Sequence, residues 1–464
     1  MKLGINLAGV IDWSTELVFR DSFKAGRTWT SQSTIPGAGY GTGPPLDLTP
    51  DGWPRSIPSN SFAESLLYTE LQGRYFSGRY MCMWTGEATI EFNGAAYGVL
   101  TAPGVVLINP NAEFLAIRVR ATNPANSIRN LSFTKLGLDS GTTVFDPLFV
   151  NRYSKYSTIR FMDWQNTNNQ QTMYWSNRTL PTAAMQTVPT GVALEHCCQL
   201  ANQTQANAWL CVPHLADDDY VWQMANLVNR LLNNSNKIYL EYSNECWNAQ
   251  FNQTAYVNKK GGPAFYLKRS GEVFKIFARV LGSTDRLVRV LGCQSDNPSS
   301  GAEMLRGQLA GWYDAIAIAP YWGHGDQFDD VANMSVQQII TRCYDLIAKV
   351  NRDIAFYKQL ADRYNVKLVA YEGGQHIVGV GAQQNDPALT AKFIAANRDP
   401  GMYDLYRSFF ESWPGELFCV FSSCSKPSKS GSWGLLEYSE QDPETAPKFR
   451  AIRDLINSWP GGNK

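Results

Sequence analysis

The sequence predicts a (β/α)8 barrel with an antiparallel β-sandwich inserted between its first and second strands. Three observations carry that expectation. Eight short runs rich in β-branched and aromatic residues recur along the chain, with helix-length segments between most of them. One block, from about residue 61 to 137, contains only short alternating runs separated by turn residues. Outside that block, the strand-like runs end in polar and charged residues, where a barrel of this kind keeps its chemistry.

The eight runs lie near 3–7, 157–162, 208–213, 238–242, 287–291, 315–319, 367–371 and 416–421. Helices are expected from Ser14 to Ala25, capped by Ser14, and around 147–156, 191–205, 219–233, 271–280, 299–309, 336–364 and 388–410. An open doubly wound sheet is the structural alternative, but no strand, glycine-rich turn and helix follow one another as that fold requires. Residues 31–58 are rich in Gly, Pro and Ser. Their Gly37–Gly43 stretch leads into Pro44 and Pro45 instead of a helix, so a flexible connector is expected there, not a phosphate loop. Asn93-Gly94 signals a hairpin turn inside the insertion. The expected division is a barrel of residues 1–30 and 140–464 and an inserted sandwich of 31–139.

A chain of 464 residues has room for two or three cores. Lys plus Arg equals Asp plus Glu at 41 each, which leaves no basic footprint for nucleic acid. Nine scattered cysteines without a C-x-x-C pair read as reduced, buried thiols, and point to folding in a reducing compartment. The apolar run Leu3–Ile11 is interrupted by Asn6 and closed by Asp12, too short and polar for a signal peptide. No segment reaches membrane-spanning length. The expectation is a protein without a membrane partner, cytoplasmic or associated with a particle such as a phage. The four histidines form no H-x-H or H-E-x-x-H pair, and neither a G-x-S-x-G elbow nor a P-loop occurs, so no metal site or cofactor is expected.

Taken in order, the strand ends carry a constellation. The second strand holds Arg160 and leads to Asp163 and Trp164; the third leads to His214; the fourth ends in Asn244-Glu245, with Trp247 beyond. The sixth leads to Tyr321 and Trp322, the seventh ends in Glu372, and Trp433 follows the eighth on a loop rich in Gly and Ser. Two carboxylates facing each other at strand ends suit cleavage of a glycosidic bond: one protonates the leaving oxygen while the other stabilises or attacks the anomeric carbon. A separation of about 5–5.5 Å implies retention and a wider gap inversion. An arginine flanked by Ile159 and Phe161 needs a charged or polar partner if it is buried. The aromatic side chains divide between core and platforms for sugar rings, Trp433 being favoured as a platform by its loop.

The ordered set Arg160, Asn244-Glu245, Tyr321, Glu372 and Trp433 resembles clan A of the glycoside hydrolases, retaining enzymes on (β/α)8 barrels, and is family 5-like. The resemblance covers the barrel residues and not the insertion, and the family 5 histidine two residues before Tyr321 is replaced by Ala319. It implies Glu245 as acid/base, Glu372 as nucleophile, and Asn244 as a ligand of the sugar 2-hydroxyl. It further implies Arg160 and Tyr321 as the groups that keep Glu372 ionised and oriented, with His214 and Trp433 in the sugar site; Trp247 and Trp322 complete the candidate set. The expected activity is endo-acting, retaining hydrolysis of a β-linked poly- or oligosaccharide. The alternative is a non-catalytic carbohydrate-binding or virion-associated protein on the same scaffold.

Overall fold

The computed structural model describes residues 1–74, 76–109, 112–138, 143–306, 312–328, 330–459 and 463. Eight parallel strands, Lys2–Asn6, Thr158–Arg160, Asn207–Val212, Ile238–Tyr242, Leu287–Gly292, Ala315–Ile318, Lys367–Ala370 and Leu417–Val420, close into a barrel in that order. Every expected strand is present. The second is shorter than expected, because after Arg160 the chain turns away through Asp163 and Asn166, whose backbone N–H returns to the Asp163 carbonyl.

The strand sequences explain what fills the barrel. Alternate residues point inward, so Trp209, Cys211, Tyr239, Val290, Ala317, Val369 and Cys419 share one apolar interior. Burying each large member of that set contributes about 1.5–3 kcal/mol. Gly4 is required where the first strand passes its neighbours: a β-carbon there would stand 2.6 Å from the Cys419 sulfur and 2.8 Å from the Thr158 carbonyl oxygen. Towards the C-terminal ends of the strands the interior turns polar, with Asn6, Arg160 and Glu241 all buried.

Helices occupy the connections. Asp217 caps Asp218–Leu231 by accepting from the Tyr220 N–H, and a reciprocal Ser335–Gln338 box opens Val336–Arg363. Leu194–Thr204, Pro263–Leu281, Pro298–Leu305 and Pro147–Tyr153 answer four further expected helices, with shifted ends; the expected end at Leu309 and the expected boundary between 139 and 140 lie outside the described residues. Three expectations are corrected. Residues Ser14–Ala25 contain only the short 3-10 turn Ser22–Ala25, because the Asp21 carboxylate accepts from the Phe23 N–H and starts the chain turning there. The single helix expected over 388–410 is two, Pro387–Arg398 and Gly401–Glu411, broken at Asp399-Pro400. The helix Asn252–Lys260 was not expected at all. Beyond the sixth and seventh strands, Tyr321–His324 and Gly374–Val378 form a separate parallel pair.

The chain divides into two compact units: Met1–Ala8, Asn151–Arg178 and Cys197–Lys464, which contains the barrel, and Gly9–Val150 with Thr179–His196. The second unit holds a five-stranded and a three-stranded antiparallel sheet, the strands running from Thr30–Ser33 to Arg129–Lys135. Inward residues of both sheets, among them Leu67, Ile90, Ile117, Tyr80, Val106 and Phe133, share one apolar core. The stretch 31–58 is not simply a connector: Thr30–Ser33 is an edge strand paired with Ser61–Leu67, and Trp53 is part of the core. The hairpin expected at Asn93-Gly94 turns slightly later, since Phe92 pairs with Gly98 and the two residues lead into the loop.

No helix among the described residues is long and apolar enough to cross a membrane. All nine cysteines are buried.

Candidate active site

Arg160 is the centre of a charged layer at the C-terminal ends of the strands, all of it within the barrel unit. It is the last residue of the second strand, faces inward, and has no solvent exposure. One terminal nitrogen donates to Asn6 Oδ1 and to Glu372 Oε2, both at 3.2 Å; the other donates to Glu241 Oε2 at 2.9 Å and to Asn244 Oδ1 at 2.8 Å. Its guanidinium also lies 4.9 Å from the Tyr371 ring centroid and 5.5 Å from that of Trp209. Burial pulls the pKa of such a cation down, but Glu241 and Glu372 outweigh it, and the group is held charged well above its ordinary range.

Glu245 and Glu372 come together above this layer. Glu245 follows the fourth strand with φ 41°, in the left-handed region, after Ser243 at φ 61°. The Tyr371 hydroxyl donates to its Oε1 at 2.7 Å and the Asn248 amide to its Oε2 at 2.9 Å. Glu372, 8% exposed, follows the seventh strand, and Gly373 and Gly374 after it take φ 151° and 137°, conformations that a side chain would strain. Burial, and then the charge of Glu245, raise the Glu372 carboxyl above its ordinary range, while Arg160 pulls the other way. Burial and the nearby carboxylates push both Tyr321 and Tyr371 well above the ordinary phenol range, so both keep their protons and can donate.

The remaining sequence-predicted residues separate clearly. Asn244 is 2% exposed; its oxygen accepts from Arg160 and its nitrogen donates to Asn168 Oδ1 at 3.0 Å, which fixes the amide beside Glu245. Trp433 is half-buried, its indole N–H donating to the Ser430 carbonyl at 2.8 Å, and its ring lies edge-on to His376 at 4.8 Å, Phe421 at 5.8 Å and Tyr321 at 5.9 Å. Trp247 packs on the apolar interior and covers Gly292, where a β-carbon would stand 3.1 Å from its ring. His214 is buried, edge-on to Tyr256 at 5.4 Å, and burial lowers its pKa to about 4, so the ring is neutral at pH 7.

Trp322 is a correction. It has no exposure and packs against Tyr406 and Phe409, each at 6.1 Å, leaving no face for a sugar. Trp322→Ala is therefore expected to cost about 3–5 kcal/mol of stability while leaving ligand affinity unchanged in the folded fraction. Denaturant titration alongside a binding isotherm checks this, and a variant of normal stability with weakened binding would restore Trp322 to the site.

Sequence reasoning missed four participants. Glu241 anchors Arg160 and also accepts from the Trp209 indole N–H at 2.9 Å. Tyr371 braces Glu245, Asn6 links Arg160 to the Tyr371 carbonyl, which accepts from its amide at 2.9 Å, and Asn248 holds the second Glu245 oxygen. Among the described residues no group of three or more His, Cys, Asp or Glu side chains is arranged to hold a metal ion.

No protein-family model matches the chain, and no curated protein matches it. Solved structures that resemble it include the Clostridium thermocellum N-terminal endo-1,4-β-D-xylanase 10B with its CBM22-1 and GH10 modules, at 11% identity over 96% of this chain and 98% of that chain, with a TM-score of 0.42. A Bacteroidetes-affiliated GH5 cellulase matches at 10% identity over 69% and 87%, TM-score 0.40. The GH26 β-mannanase of Bacteroides ovatus matches at 9% over 65% and 78%, TM-score 0.36. At such identities and TM-scores these likenesses carry no inference about chemistry.

Proposed function

We propose that the protein is a retaining glycoside hydrolase, endo-acting on a β-linked poly- or oligosaccharide, with Glu372 as nucleophile and Glu245 as acid/base. The observation that carries this reading is the pair itself: two glutamates from strands on different sides of one barrel, close enough for the charge of Glu245 to raise Glu372, above a single buried guanidinium. Burial, and then the charge of Glu245, let Glu372 hold a proton at a pH where an isolated carboxyl would have lost it. Glycoside cleavage by double displacement uses such a pair in its singly protonated form.

In the first step the Glu372 carboxylate attacks the anomeric carbon as the glycosidic C–O bond breaks, and the leaving oxygen takes the proton from Glu245. Arg160, which donates to Glu372, stabilises the charged form that the attack requires, against the burial and the Glu245 charge that oppose it. In the second step Glu245 takes a proton from water as the water oxygen bonds to the anomeric carbon, and Glu372 leaves as carboxylate. Asn244, held by Arg160 and Asn168, stands beside the proton donor where it can meet a sugar hydroxyl. Trp433 offers the partly exposed aromatic face on which a sugar ring can stack.

Glu245→Ala tests the assignment. It is expected to lose hydrolysis of natural glycans by about 10²–10⁴-fold, to retain formation of the glycosyl-enzyme from an aryl glycoside with a good leaving group, and to regain turnover with azide. The product is a glycosyl azide of retained β configuration, identified by NMR. An α-azide, or no rescue together with full activity of the variant, overturns the roles given to the two glutamates.

A further inference from the structure

Beside the proposed acid/base, within the barrel unit, lies a cavity that the mechanism leaves unused. Its volume is about 200 Å³, and it sits between the segment that follows Ile238–Tyr242 and the segment that follows Leu287–Gly292. Those two strands are paired neighbours in the barrel, and the cavity lies beyond their C-terminal ends, on the face that carries Glu245 and Glu372. Cys246, Trp247, Val257, Tyr266, Cys293 and Met304 line it, and no charged side chain among the described residues does. Burial pushes both thiols up to about 12, so they stay neutral at pH 7. Trp247, Gln294 and Met304 keep part of their surface in solvent, which leaves the cavity accessible.

Its walls are tied to the site. The Thr254 hydroxyl, also in the wall, donates to the Asn248 carbonyl at 2.7 Å and reaches that of Glu245 at 3.3 Å, so the cavity abuts the chain segment that carries the acid/base. Trp247 stands between cavity and barrel interior: it packs on the apolar cluster that contains Tyr371, whose hydroxyl holds Glu245. On the other side the Tyr357 hydroxyl donates to the Gln294 carbonyl at 2.6 Å, and the Gly292 N–H donates to the Tyr266 hydroxyl at 2.9 Å. Walls fixed in this way spare a ligand the cost of ordering them.

We propose that this cavity receives an aromatic ring attached to the leaving portion of the substrate. The inference rests on the function proposed above: the acid/base gives its proton to the leaving oxygen, so the leaving side is the side of Glu245. Size and chemistry choose the group. A void of about 150 Å³ accommodates a benzene ring, and this one has room for a ring with its linking atoms. A sugar ring would bury its hydroxyls against thiols, Val257 and Met304, where each bond lost to water needs a replacement. An aromatic ring has no such demand, and Trp247, Tyr266 and the Met304 sulfur are suited to meet it.

Benzyl alcohol is the direct probe, since its binding needs neither sugar nor catalysis. With the methionine methyl groups isotopically labelled, the Met304 NMR signal, identified by its loss in Met304→Leu, is expected to shift saturably as benzyl alcohol is added. Ser300→Trp, which places an indole where a lining hydroxyl stands, should weaken that binding about 10-fold or more, the order of one buried ring. In turnover, the benzyl β-glycoside of an oligosaccharide that the wild type releases is expected to exceed the methyl β-glycoside in kcat/KM by a similar factor, mainly through a lower KM. The two leaving alcohols are alike in acidity and differ in the ring, and Ser300→Trp should erase the difference. A Met304 signal that does not move removes the cavity as a site and leaves the hydrolase reading standing. A shifted signal with both glycosides cleaved equally well overturns the assignment to the leaving side. Cleavage of no glycoside by the wild type removes the hydrolase reading and this assignment with it.

Discussion

Glu372→Gln is expected to lower kcat/KM by about 10³-fold or more, the equivalent of about 4 kcal/mol of transition-state stabilisation. Glutamine keeps the shape and can still meet Arg160, but it cannot become a carboxylate and form an ester with the anomeric carbon. The loss is expected in kcat rather than in binding, because the side chain's interaction with the sugar changes most in the transition state. The fold is expected to survive. The substitution removes a buried carboxyl whose ionisation is opposed by burial and by Glu245, so denaturation midpoints should be unchanged or raised. Steady-state kinetics on a substrate cleaved by the wild type, with a denaturant titration beside them, make the measurement. Full activity in Glu372→Gln would sink the mechanism whatever the fate of the other residues.

Arg160→Met should act in the opposite manner, on the fold first. Its guanidinium satisfies Asn6, Glu241, Asn244 and Glu372 from within the barrel. Taking away one partner of a buried ion pair leaves uncompensated charge and costs about 3–5 kcal/mol. Here two carboxylates lose their cation together, so the effect is expected at or above the upper end of that range. Arg160→Lys should recover little, since one ammonium cannot reproduce a planar fork that reaches four acceptors. Urea titrations of the two variants are the check, and a loss below about 1 kcal/mol would mean that the carboxylates are hydrated or protonated without Arg160.

These two residues also show how far the amino-acid sequence reaches. The barrel strands were legible because most are short apolar runs at barrel spacing, and their ends named Glu245 and Glu372 without any distance. Arg160 was legible because a charge between Ile159 and Phe161 demands a partner. The same reasoning applies to Glu241 between Leu240 and Tyr242, and would have paired the two had it been extended to the fourth strand. Tyr371 was hidden for another reason. A tyrosine at the end of an apolar strand reads as packing, and only the barrel's register brings its hydroxyl to Glu245. Trp322 erred the other way, since proximity to Tyr321 in sequence says nothing of the face on which alternate residues emerge. The helix Asn252–Lys260 escaped because its sequence, NQTAYVNKK, is mostly polar and lacks a clear apolar stripe.

The closure of the barrel has a consequence for the order in which the chain can assemble. Its first strand pairs with the last, Lys2 with Leu417 through Ile5 with Val420. The seam is tied again by Asn463, whose side chain accepts from the Leu3 N–H at 2.6 Å and donates to the Leu3 carbonyl at 2.8 Å. During synthesis Leu3 and Ile5 emerge long before Phe418 and Val420, their partners across the seam, whereas the antiparallel sheets of the second unit pair segments far closer in sequence, Ala63 with Val119 being the most remote pair. Contacts so remote in sequence are slow to form. The sheets of the second unit are therefore placed to fold while the ribosome is still making the barrel, and Arg160 acquires Glu241 long before it acquires Glu372.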